Sequence, residues 1–315
     1  MNIFLANPRG FCAGVRRAIN IVNIALKVWG KPIYVNHEIV HNTYVINHLK
    51  SKGVIFNANI NSIPFGSILI FSAHGVSKHL RNQAIKRKLK IIDATCPLVK
   101  KVHKEVSHAS NLGFEAILIG TAKHPEIKGT LGQYNNTNGK IHLIESIKDV
   151  LNLKINNPKK LMFMTQTTLS LERINPIIKE LHKKYPNIIS PKKPDVCYAT
   201  INRQKAVKEL SKISDIIIII GSKYSSNSNQ LMKLAQRTGK KSMLIDSKNE
   251  INVSDWINNK QSIGIASGAS TPNIVIEQII NKLKKIKKST IKEMDGIKEN
   301  ITFHIPKELK NIEKK

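Results

Sequence analysis

Short apolar runs recur along the chain at intervals that leave room for a helix between successive runs. Such runs are typical of buried parallel strands, and the segments between them carry apolar residues at helical spacing. This alternation is the pattern of α/β units, in which helices cover a parallel sheet. The candidate strands are NIFLA, PIYVN, SILIFS, KIIDA, AILIG, KIHLI, LMFMT, IIIIIG, SMLID and SIGIAS. The sequence therefore predicts an α/β fold with parallel sheets.

Polar loops that contain Gly, His or Ser follow several of the candidate strands. They read FSAHGVS, GTAKHPEIKG, TQTTLS, GSKYSSNSN and ASGASTPN. Ligands in open α/β sheets bind at the carboxyl ends of the strands, where such loops lie. Packing alone does not require so many polar loops, so we expect them to build a ligand site.

The length of the chain and of its apolar segments limits the classes of protein to which it can belong. With 315 residues, 41% of them hydrophobic, the chain is long enough for two or three domains. The segment MNIFLANPRG lacks the charged start and the apolar length of a signal peptide. The longest apolar run, IIIII at 216–220, is too short to span a bilayer. We therefore expect a cytoplasmic protein.

The charge balance is strongly basic, with 51 Lys and Arg against 21 Asp and Glu and a formal net charge of +30. Such an excess suggests a nucleic-acid or ribosome-associated binding protein, which is the alternative to an enzyme. The lysines are, however, spread along the whole chain together with Asn and Ile, which AT-rich codons encode. Aromatic residues make up only 5% and are not interleaved with the basic runs, so no stacking platform for single strands is evident. A positive field also favours an anionic substrate or an acidic protein partner.

Each of the three cysteines stands where a helix is expected to begin. Cys12 lies in NPRGFCAGVRRA, between a turn-prone Pro-Arg-Gly and a segment with helical periodicity. Cys96 in CPLVKKVH and Cys197 in CYATINRQKAV repeat this arrangement. A helix N-terminus lowers the pKa of a thiol, which suits a nucleophile or a metal ligand. A buried cysteine with no chemical role is the competing interpretation.

The spacing of the cysteines matches one small α/β unit each, so we predict three similar domains that each donate one cysteine to a shared centre. The predicted segments are residues 1–96 with the N-terminal strand, residues 97–195, residues 196–282 and a charged tail at 283–315. The tail is expected to lie over the surface or to be partly disordered. Its ITFHIP segment is a candidate edge strand.

Three kinds of site remain open from the spacing of the cysteines alone. Three thiolates can hold three irons of a cubane cluster and leave one iron open. Zinc with three cysteines and a water is a second possibility, although zinc sites usually draw two ligands from one short motif and no CxxC pair is present. The third possibility is that no metal is bound. Disulfides are not expected in a reducing compartment.

The polar loops contain side chains that suit an anion. His41, His74 and His124 offer ring N–H donors, although a single histidine is more often a surface or core residue. The sequences SSNS at 225–228 and GAS at 268–270 supply hydroxyls, an amide and backbone N–H groups, although SSNS is also a simple helix cap.

Two further residues in these loops could move or direct a proton. Glu126 follows His124 closely, and a carboxyl in such a pocket can donate a proton. Thr167 in TQTTLS could orient a hydroxyl. Neither GxGxxG after a strand nor GxxxxGK[ST] is present, so nicotinamide and nucleoside triphosphate sites have no support.

Taken together, these motifs resemble the 4-hydroxy-3-methylbut-2-enyl diphosphate reductase family, the last enzymes of the methylerythritol phosphate route to isoprenoids. The resemblance runs from Met1 to about residue 282, in the family's order. The motifs that carry it are RGFCAGV, HEIVHN, SAHGVS, DATCPLV, HPEIKGTLGQ, QTTLS, DVCYATINRQ, SSNS and SGASTP.

The resemblance implies a pseudo-threefold cloverleaf of α/β domains around a [4Fe-4S] cluster with one open iron, held by Cys12, Cys96 and Cys197. It implies that Glu126 is the proton donor and that Thr167 contacts the substrate hydroxyl. The residues implied to bind the diphosphate are His41, His74, His124, Ser225, Ser226, Asn227 and Ser270. The implied reaction is a two-electron, two-proton reductive dehydroxylation that gives isopentenyl and dimethylallyl diphosphates. Flavodoxin or ferredoxin would supply the electrons.

The chain departs from the family's pattern at three loop positions. Tyr224 stands where Asn is common, Asn273 where Asp is usual, and Leu131 where Met is frequent. None of these residues carries an expected chemical role, so the departures concern only the packing of the loops.

Overall fold

The computed structural model describes residues 1–251 and 262–309, whose strands form three sheets with parallel neighbours throughout. The strands are β1 Asn2–Leu5, β2 Ile33–Asn36, β3 Val54–Asn57, β4 Ile68–Phe71, β5 Lys90–Asp93, β6 Glu115–Ile119, β7 Ile141–Ile144, β8 Leu161–Thr165, β9 Ile216–Ile220, β10 Lys241–Ile245, β11 Ser262–Ser267 and β12 Thr290–Glu293. The α/β class with parallel sheets is therefore confirmed.

Helices follow most of these strands. They are α1 Ala13–Trp29, α2 Thr43–Ser51, α3 Lys78–Lys86, α4 Pro97–Asn111, α5 Pro125–Leu131, α6 Ile147–Asn152, α7 Leu171–Lys184, α8 Tyr198–Ile213, α9 Ser226–Arg237 and α10 Asn273–Ile286. Within the described part of the chain, none of them combines the length and the apolar character needed to cross a membrane.

The chain divides into two compact units, and the first comprises Met1–Arg16, Val40–Leu49 and Tyr198–Thr302. Its sheet has the order β10-β9-β11-β1-β12. Alternate isoleucines of β9 face opposite ways: one set packs with α10, and the other packs with α8 and α9. All five isoleucines of β9 are at most 1% exposed. An unbroken apolar run is expected for a parallel strand that is covered on both faces.

The second unit comprises Arg17–Ile39, Lys50–Cys197 and Phe303–Lys315, and it holds two smaller sheets. Their orders are β3-β2-β4-β5 and β7-β6-β8. Leu69 and Phe71 of β4 lie in the core of the first of these sheets. Ala116 and Leu118 of β6 pack in the core of the other, against α4 and α5. Each sheet thus has its own apolar core next to the loops at its carboxyl end.

Sheet membership differs from the predicted segments at both ends of the chain. Ile3 of β1 lies opposite Ile263 of β11 and Ile291 of β12, so the N-terminal strand joins the sheet of the C-terminal residues instead of a domain at 1–96. The C-terminal strand is Thr290–Glu293, whereas the ITFHIP segment at 301–306 has no regular structure. Backbone pairing with β1 determines this edge strand, because all four of its residues are exposed. Residues 310–315 of the predicted tail lie outside the described residues.

Candidate functional site

The three cysteines all directly precede a helix, as the sequence predicts. Cys12 comes before α1, Cys96 is the N-cap of α4, and Cys197 comes before α8. All three are partly exposed, and none is in a disulfide. Cys96 makes no side-chain capping bond. Each cysteine thus lies next to the N-terminal end of a helix.

The backbone of each cysteine is tied to a loop at the end of a strand. The N–H of Cys12 donates to the carbonyl of Ala269 at 3.1 Å, and the N–H of Cys96 donates to that of Ala73 at 3.0 Å. The N–H of Cys197 donates to the carbonyl of Thr167 at 2.9 Å. Thr167 is itself a predicted site residue. Ala269 and Ala73 immediately precede Ser270 and His74, which are predicted to bind the ligand. The same local connection therefore occurs three times.

Glu126 and Thr167 lie together in the second unit. Glu126 is in the first turn of α5, and its Oε1 accepts the backbone N–H of Thr167 at 2.8 Å. Both residues are 4% exposed. Because the Thr167 carbonyl also accepts the N–H of Cys197, one peptide segment after β8 connects the carboxylate to the cysteine. The residues predicted to donate a proton and to direct a hydroxyl are thus joined by a direct hydrogen bond between the Glu126 carboxylate and the Thr167 backbone.

His74 and His124 face each other in the same unit. Their ring centroids are 5.6 Å apart, and the rings are nearly perpendicular. His124 caps α5, because its Nδ1 accepts the backbone N–H of Glu126 at 3.2 Å. A nitrogen that accepts a hydrogen bond carries no proton, so Nε2 carries the proton of the neutral ring.

The loop that carries His74 packs closely on α5. Gly75 has a φ of +78°, which favours glycine. A Cβ on Gly129 of α5 would lie 3.0 Å from the Gly75 carbonyl oxygen. The Gln133 side chain connects the loop to the helix, because its Nε2 donates to the carbonyls of Val76 and Gly129 at 2.8 Å each. The backbone that positions His74 is thus fixed against the helix that carries Glu126.

The loops after β9 and β11 carry the predicted residues of the first unit. Ser225 caps α9 by accepting the N–H of Ser228 at 3.3 Å, so the capping interpretation of SSNS is correct for this residue. Its hydroxyl proton remains available to a ligand. Ser226 begins α9 and is partly exposed. The Ser270 hydroxyl donates to the carbonyl of His41 at 3.0 Å, which joins two predicted residues.

Asn227 connects these loops to α8. Its Nδ2 donates to Thr200 Oγ1 at 3.2 Å, and its Oδ1 accepts the N–H of Ala269 at 3.3 Å. Asn227 is 5% exposed. Ala269 is also the residue that accepts the N–H of Cys12. The amide of Asn227 therefore holds the loop that anchors this cysteine.

Arg203 was missed by the sequence analysis although it supports the Cys12 loop. It is 1% exposed, and its Nη2 donates to the carbonyl of Gly10 at 2.8 Å. Its Nη1 donates to Glu299 at 3.1 Å, so the buried charge is paired. The available signal was a basic residue within the motif DVCYATINRQ, on the helix that follows Cys197.

The three departures from the family's pattern lie in ordinary packing environments. Tyr224 is 76% exposed. Leu131 packs against the core beneath α5. The side chain of Asn273 lies against Gly10, where a φ of +75° favours glycine. No departure removes a side chain with a predicted role.

The two compact units divide the predicted site residues. The first unit contains Cys12, His41, Ser225, Ser226, Asn227 and Ser270. The second contains His74, Cys96, His124, Glu126, Thr167 and Cys197. Among residues 1–251 and 262–309, no group of three His, Cys, Asp or Glu side chains is arranged to hold a metal ion.

Relatives of known name extend over almost the whole chain. A reductase of Wigglesworthia glossinidia brevipalpis is 56% identical over 311 residues, and one of Pectobacterium atrosepticum is 54% identical over 310 residues. In both cases 98% of each chain is covered. Both proteins are named 4-hydroxy-3-methylbut-2-enyl diphosphate reductase. These relatives give no support to the alternative of a nucleic-acid or ribosome-associated binding protein.

Solved structures of reductases have the same fold. That of the E-1-hydroxy-2-methyl-but-2-enyl-4-diphosphate reductase from Plasmodium falciparum is 37% identical and has a TM-score of 0.94, with 99% of this chain and 98% of that chain covered. A second, an (E)-4-hydroxy-3-methyl-but-2-enyl diphosphate reductase, is 31% identical with a TM-score of 0.64, and 91% of this chain and 100% of that chain are covered. The family model described as LytB protein matches residues 3–284. The chain therefore belongs to the LytB protein family.

Proposed function

We propose that this protein reduces (E)-4-hydroxy-3-methylbut-2-enyl diphosphate to isopentenyl and dimethylallyl diphosphates, the last step of the methylerythritol phosphate pathway. The names of relatives at 54% and 56% identity supply the substrate. One structural observation carries the chemistry: the segment that contains Thr167 accepts the N–H of Cys197 and donates to the carboxylate of Glu126. Cys197 and Glu126, the residues we propose as a cluster ligand and the proton donor, are thereby connected through one segment after β8.

We assign Cys12, Cys96 and Cys197 as the ligands of a [4Fe-4S] cluster, on the number, the free state and the chain position of these cysteines. They are the only cysteines in the sequence, none is in a disulfide, and each lies at the positive end of a helix. Three thiolates without a fourth match a cubane with one iron that the protein does not bind. When bound, the cluster would supply single electrons and the Lewis acidity of that iron. The anchored N–H groups would keep the three sulfurs in place.

The residues proposed to bind the diphosphate are hydrogen-bond donors in each compact unit. In one unit, Nε2–H of His124 and the adjacent His74 ring would donate to phosphate oxygens. In the other, the donors would be His41 and the side chains of the two loops after β9 and β11, namely Ser225, Ser226, Asn227 and Ser270. Burial of a diphosphate costs free energy unless hydrogen-bond donors replace the water molecules that hydrate it. Hydrogen bonds to a charged group are stronger than those between neutral groups. Neutral donors of this kind suit an anion without adding buried charge.

Glu126 would provide the proton that turns the leaving hydroxyl into water. The substrate gains two electrons and two protons overall: one proton leaves with the hydroxyl oxygen as water, and the other bonds to carbon. Hydroxide is a poor leaving group, so protonation lowers the barrier. Thr167 lies beside Glu126 and would direct the hydroxyl toward it. The carbon that receives the second proton decides which of the two products forms.

The electrons would come from a reduced flavodoxin or ferredoxin. The chain lacks both nucleotide fingerprints, which agrees with a protein donor instead of a nicotinamide. The net charge of +30 favours encounter with an acidic protein of this kind. Neither nucleic acid nor a membrane is needed for this reaction.

An anaerobic activity assay tests the proposal. The protein is purified without oxygen, reduced with flavodoxin, and incubated with the allylic alcohol diphosphate, and the products are identified by mass spectrometry. We expect a brown protein with four irons per chain, by the cubane stoichiometry, and formation of both five-carbon diphosphates. A colourless protein that releases neither product and binds RNA in a salt-sensitive manner would instead support the alternative.

A further inference from the structure

A cationic cleft lies in the unit that contains His74, and none of the predicted site residues lines it. Its volume is about 380 Å³. Its walls come from the first turns of α3, from the end of β5 and from one face of α4. Four of its lining residues are cationic, namely Lys78, Arg81, Lys100 and Lys104. The volume falls within the range of small-molecule sites.

One carboxylate holds two of these cations in position. Arg81 Nη2 and Lys100 Nζ both contact the same oxygen of Asp93, at 2.6 and 3.0 Å. The other oxygen of Asp93 accepts the N–H of Thr95 at 3.0 Å. Burial opposes ionisation of this carboxyl, but the hydrogen bonds to Thr95 and the two cations outweigh it and lower its pKa to about 2. Asp93 is therefore ionised at neutral pH, and it keeps both cations at the cleft.

The cleft keeps an excess of positive charge. Asp93 is the only acidic residue among the described residues that line it. Lys78 donates to the neutral side chain of Asn135 at 3.1 Å, so this contact does not offset its charge. Lys104 is exposed. After Asp93 neutralises one cation, the charges of the other three remain available for an anion, and a concave surface concentrates their field.

Neutral polar groups complete the lining of the cleft. His103 packs on Gly75, and its Nε2 is buried without a hydrogen-bond partner in the described residues. Ser107 and Asn111 contribute a hydroxyl and an amide from the same helix. No Phe, Tyr or Trp of the described chain lines the cleft, so recognition would depend on charged oxygens and not on stacking of a base.

We propose that this cleft is a second anion site, which binds the phosphate groups of a ligand of about diphosphate size. Several cations converge on a pocket that also offers hydrogen-bond donors, and the oxygens of linked phosphates can accept from many donors at once. Preorganisation by Asp93 reduces the side-chain entropy lost on binding. The inference goes beyond the proposed function, because none of the residues assigned to the substrate lines the cleft.

Calorimetric titration of the anaerobic holoenzyme with inorganic pyrophosphate tests this site. We expect two pyrophosphates to bind per wild-type chain, one at the substrate site and one in the cleft. The double variant Lys78→Ala, Lys104→Ala should bind one, with the second weakened at least tenfold. The matched control is Lys154→Ala, Lys179→Ala, which removes the same charge at two exposed positions that do not line the cleft. The control should still bind two.

The turnover of the double variant separates this inference from the proposed function. Its kcat and KM should stay within twofold of the wild type. If the proposed function fails but the cleft binds, the wild type takes up one pyrophosphate and the double variant takes up none. The inference is overturned if the double variant binds as many pyrophosphates as the wild type. It is also overturned if the control variant loses as much binding as the double variant. Repeating the titration with isopentenyl diphosphate and with ATP distinguishes an isoprenoid from a nucleotide as the source of the phosphates.

Discussion

The backbone N–H of Cys197 donates to the carbonyl oxygen of Thr167 at 2.9 Å, and the N–H of Thr167 donates to Glu126. The cysteine is thus held by the same peptide segment that orients the carboxylate. Cys96 is held by Ala73, next to His74, and Cys12 by Ala269. In each case a backbone hydrogen bond ties the backbone of the cysteine to a strand-end loop. A substitution at a cysteine sulfur can therefore remove a ligand and leave this backbone connection in place.

Replacement of any one cysteine by serine should remove the cluster. In Cys12→Ser, Cys96→Ser and Cys197→Ser we expect iron content to fall to a small fraction of the wild-type value and turnover to be lost, because a hydroxyl is a much poorer ligand for iron than a thiolate. Iron and sulfide analysis of anaerobic samples measures this. Circular dichroism checks that the fold persists. Full iron content with wild-type turnover would remove that cysteine from the ligand set.

The Glu126→Gln variant should bind substrate and retain the cluster but turn over slowly. The amide oxygen of Gln can still accept the N–H of Thr167, so the loop should keep its position. The loss of a positioned general acid typically costs about 10² to 10⁴ in rate. Steady-state kinetics under anaerobic conditions measures kcat and KM separately.

Glu115→Gln is the matched control for this variant. Glu115 is also 4% exposed, but it accepts the N–H groups of Asn156 and Asn157 and contacts His142, away from the loop of Thr167. Its replacement should lower stability and leave kcat unchanged. Equal turnover of Glu126→Gln and the wild type would assign the proton to another group.

Strands with an apolar run could be predicted from the sequence, and all ten candidates are present. Among the residues that the structure describes, two strands were missed. Val54–Asn57 has only one fully buried residue, and Thr290–Glu293 has none, so neither shows the apolar pattern of a covered strand. Val54–Asn57 forms a strand because it pairs with β2, and Thr290–Glu293 forms one because it pairs with β1. The sheet that contains β1 could not be predicted either, because no local pattern encodes a partner more than 250 residues away.

The candidate site could be predicted as a set of loops but not as a network. Polar residues after buried strands indicated where a ligand could bind. The bond from Cys96 to Ala73 joins two backbone atoms, and the Gln133 side chain donates to the backbone carbonyl of Val76, a group that every residue type offers. The packing of Gly129 on Gly75 depends on two glycines far apart in sequence. Such contacts exist only after the elements have packed.

Gly129→Ala should reduce turnover without unfolding the protein. A Cβ would lie 3.0 Å from the Gly75 carbonyl oxygen and 3.2 Å from the Val76 nitrogen, so the loop that carries His74 must shift by a few tenths of an ångström. Alanine is a better helix former by about 0.5–1 kcal/mol, which offsets the crowding. We expect kcat to fall about tenfold, since small displacements of binding groups are costly, while the thermal midpoint stays near the wild-type value.

Lys128→Ala, at an exposed position of the same helix, is the control for Gly129→Ala and should behave like the wild type. Kinetics and thermal unfolding of the two variants are compared side by side. A Gly129→Ala enzyme with unchanged kcat would show that the position of the His74 loop does not limit turnover.

His103 should make the protein less stable as the pH falls below about 6.5, the ordinary pKa of histidine. Burial lowers its pKa in the folded protein to about 4; Asp93 opposes this shift, and Arg81 and Lys100 add to it. Between these two values the unfolded chain binds a proton that the folded protein does not, so acidification favours unfolding. The His103→Gln variant lacks this contribution, and its urea midpoint should fall less than that of the wild type between about pH 7 and pH 5. His108→Gln, which removes an exposed histidine from the same helix, is the matched control and is measured under the same conditions. If the urea midpoints of the wild type and of His103→Gln change equally with pH, then His103 is protonated as readily in the folded protein as in the unfolded chain.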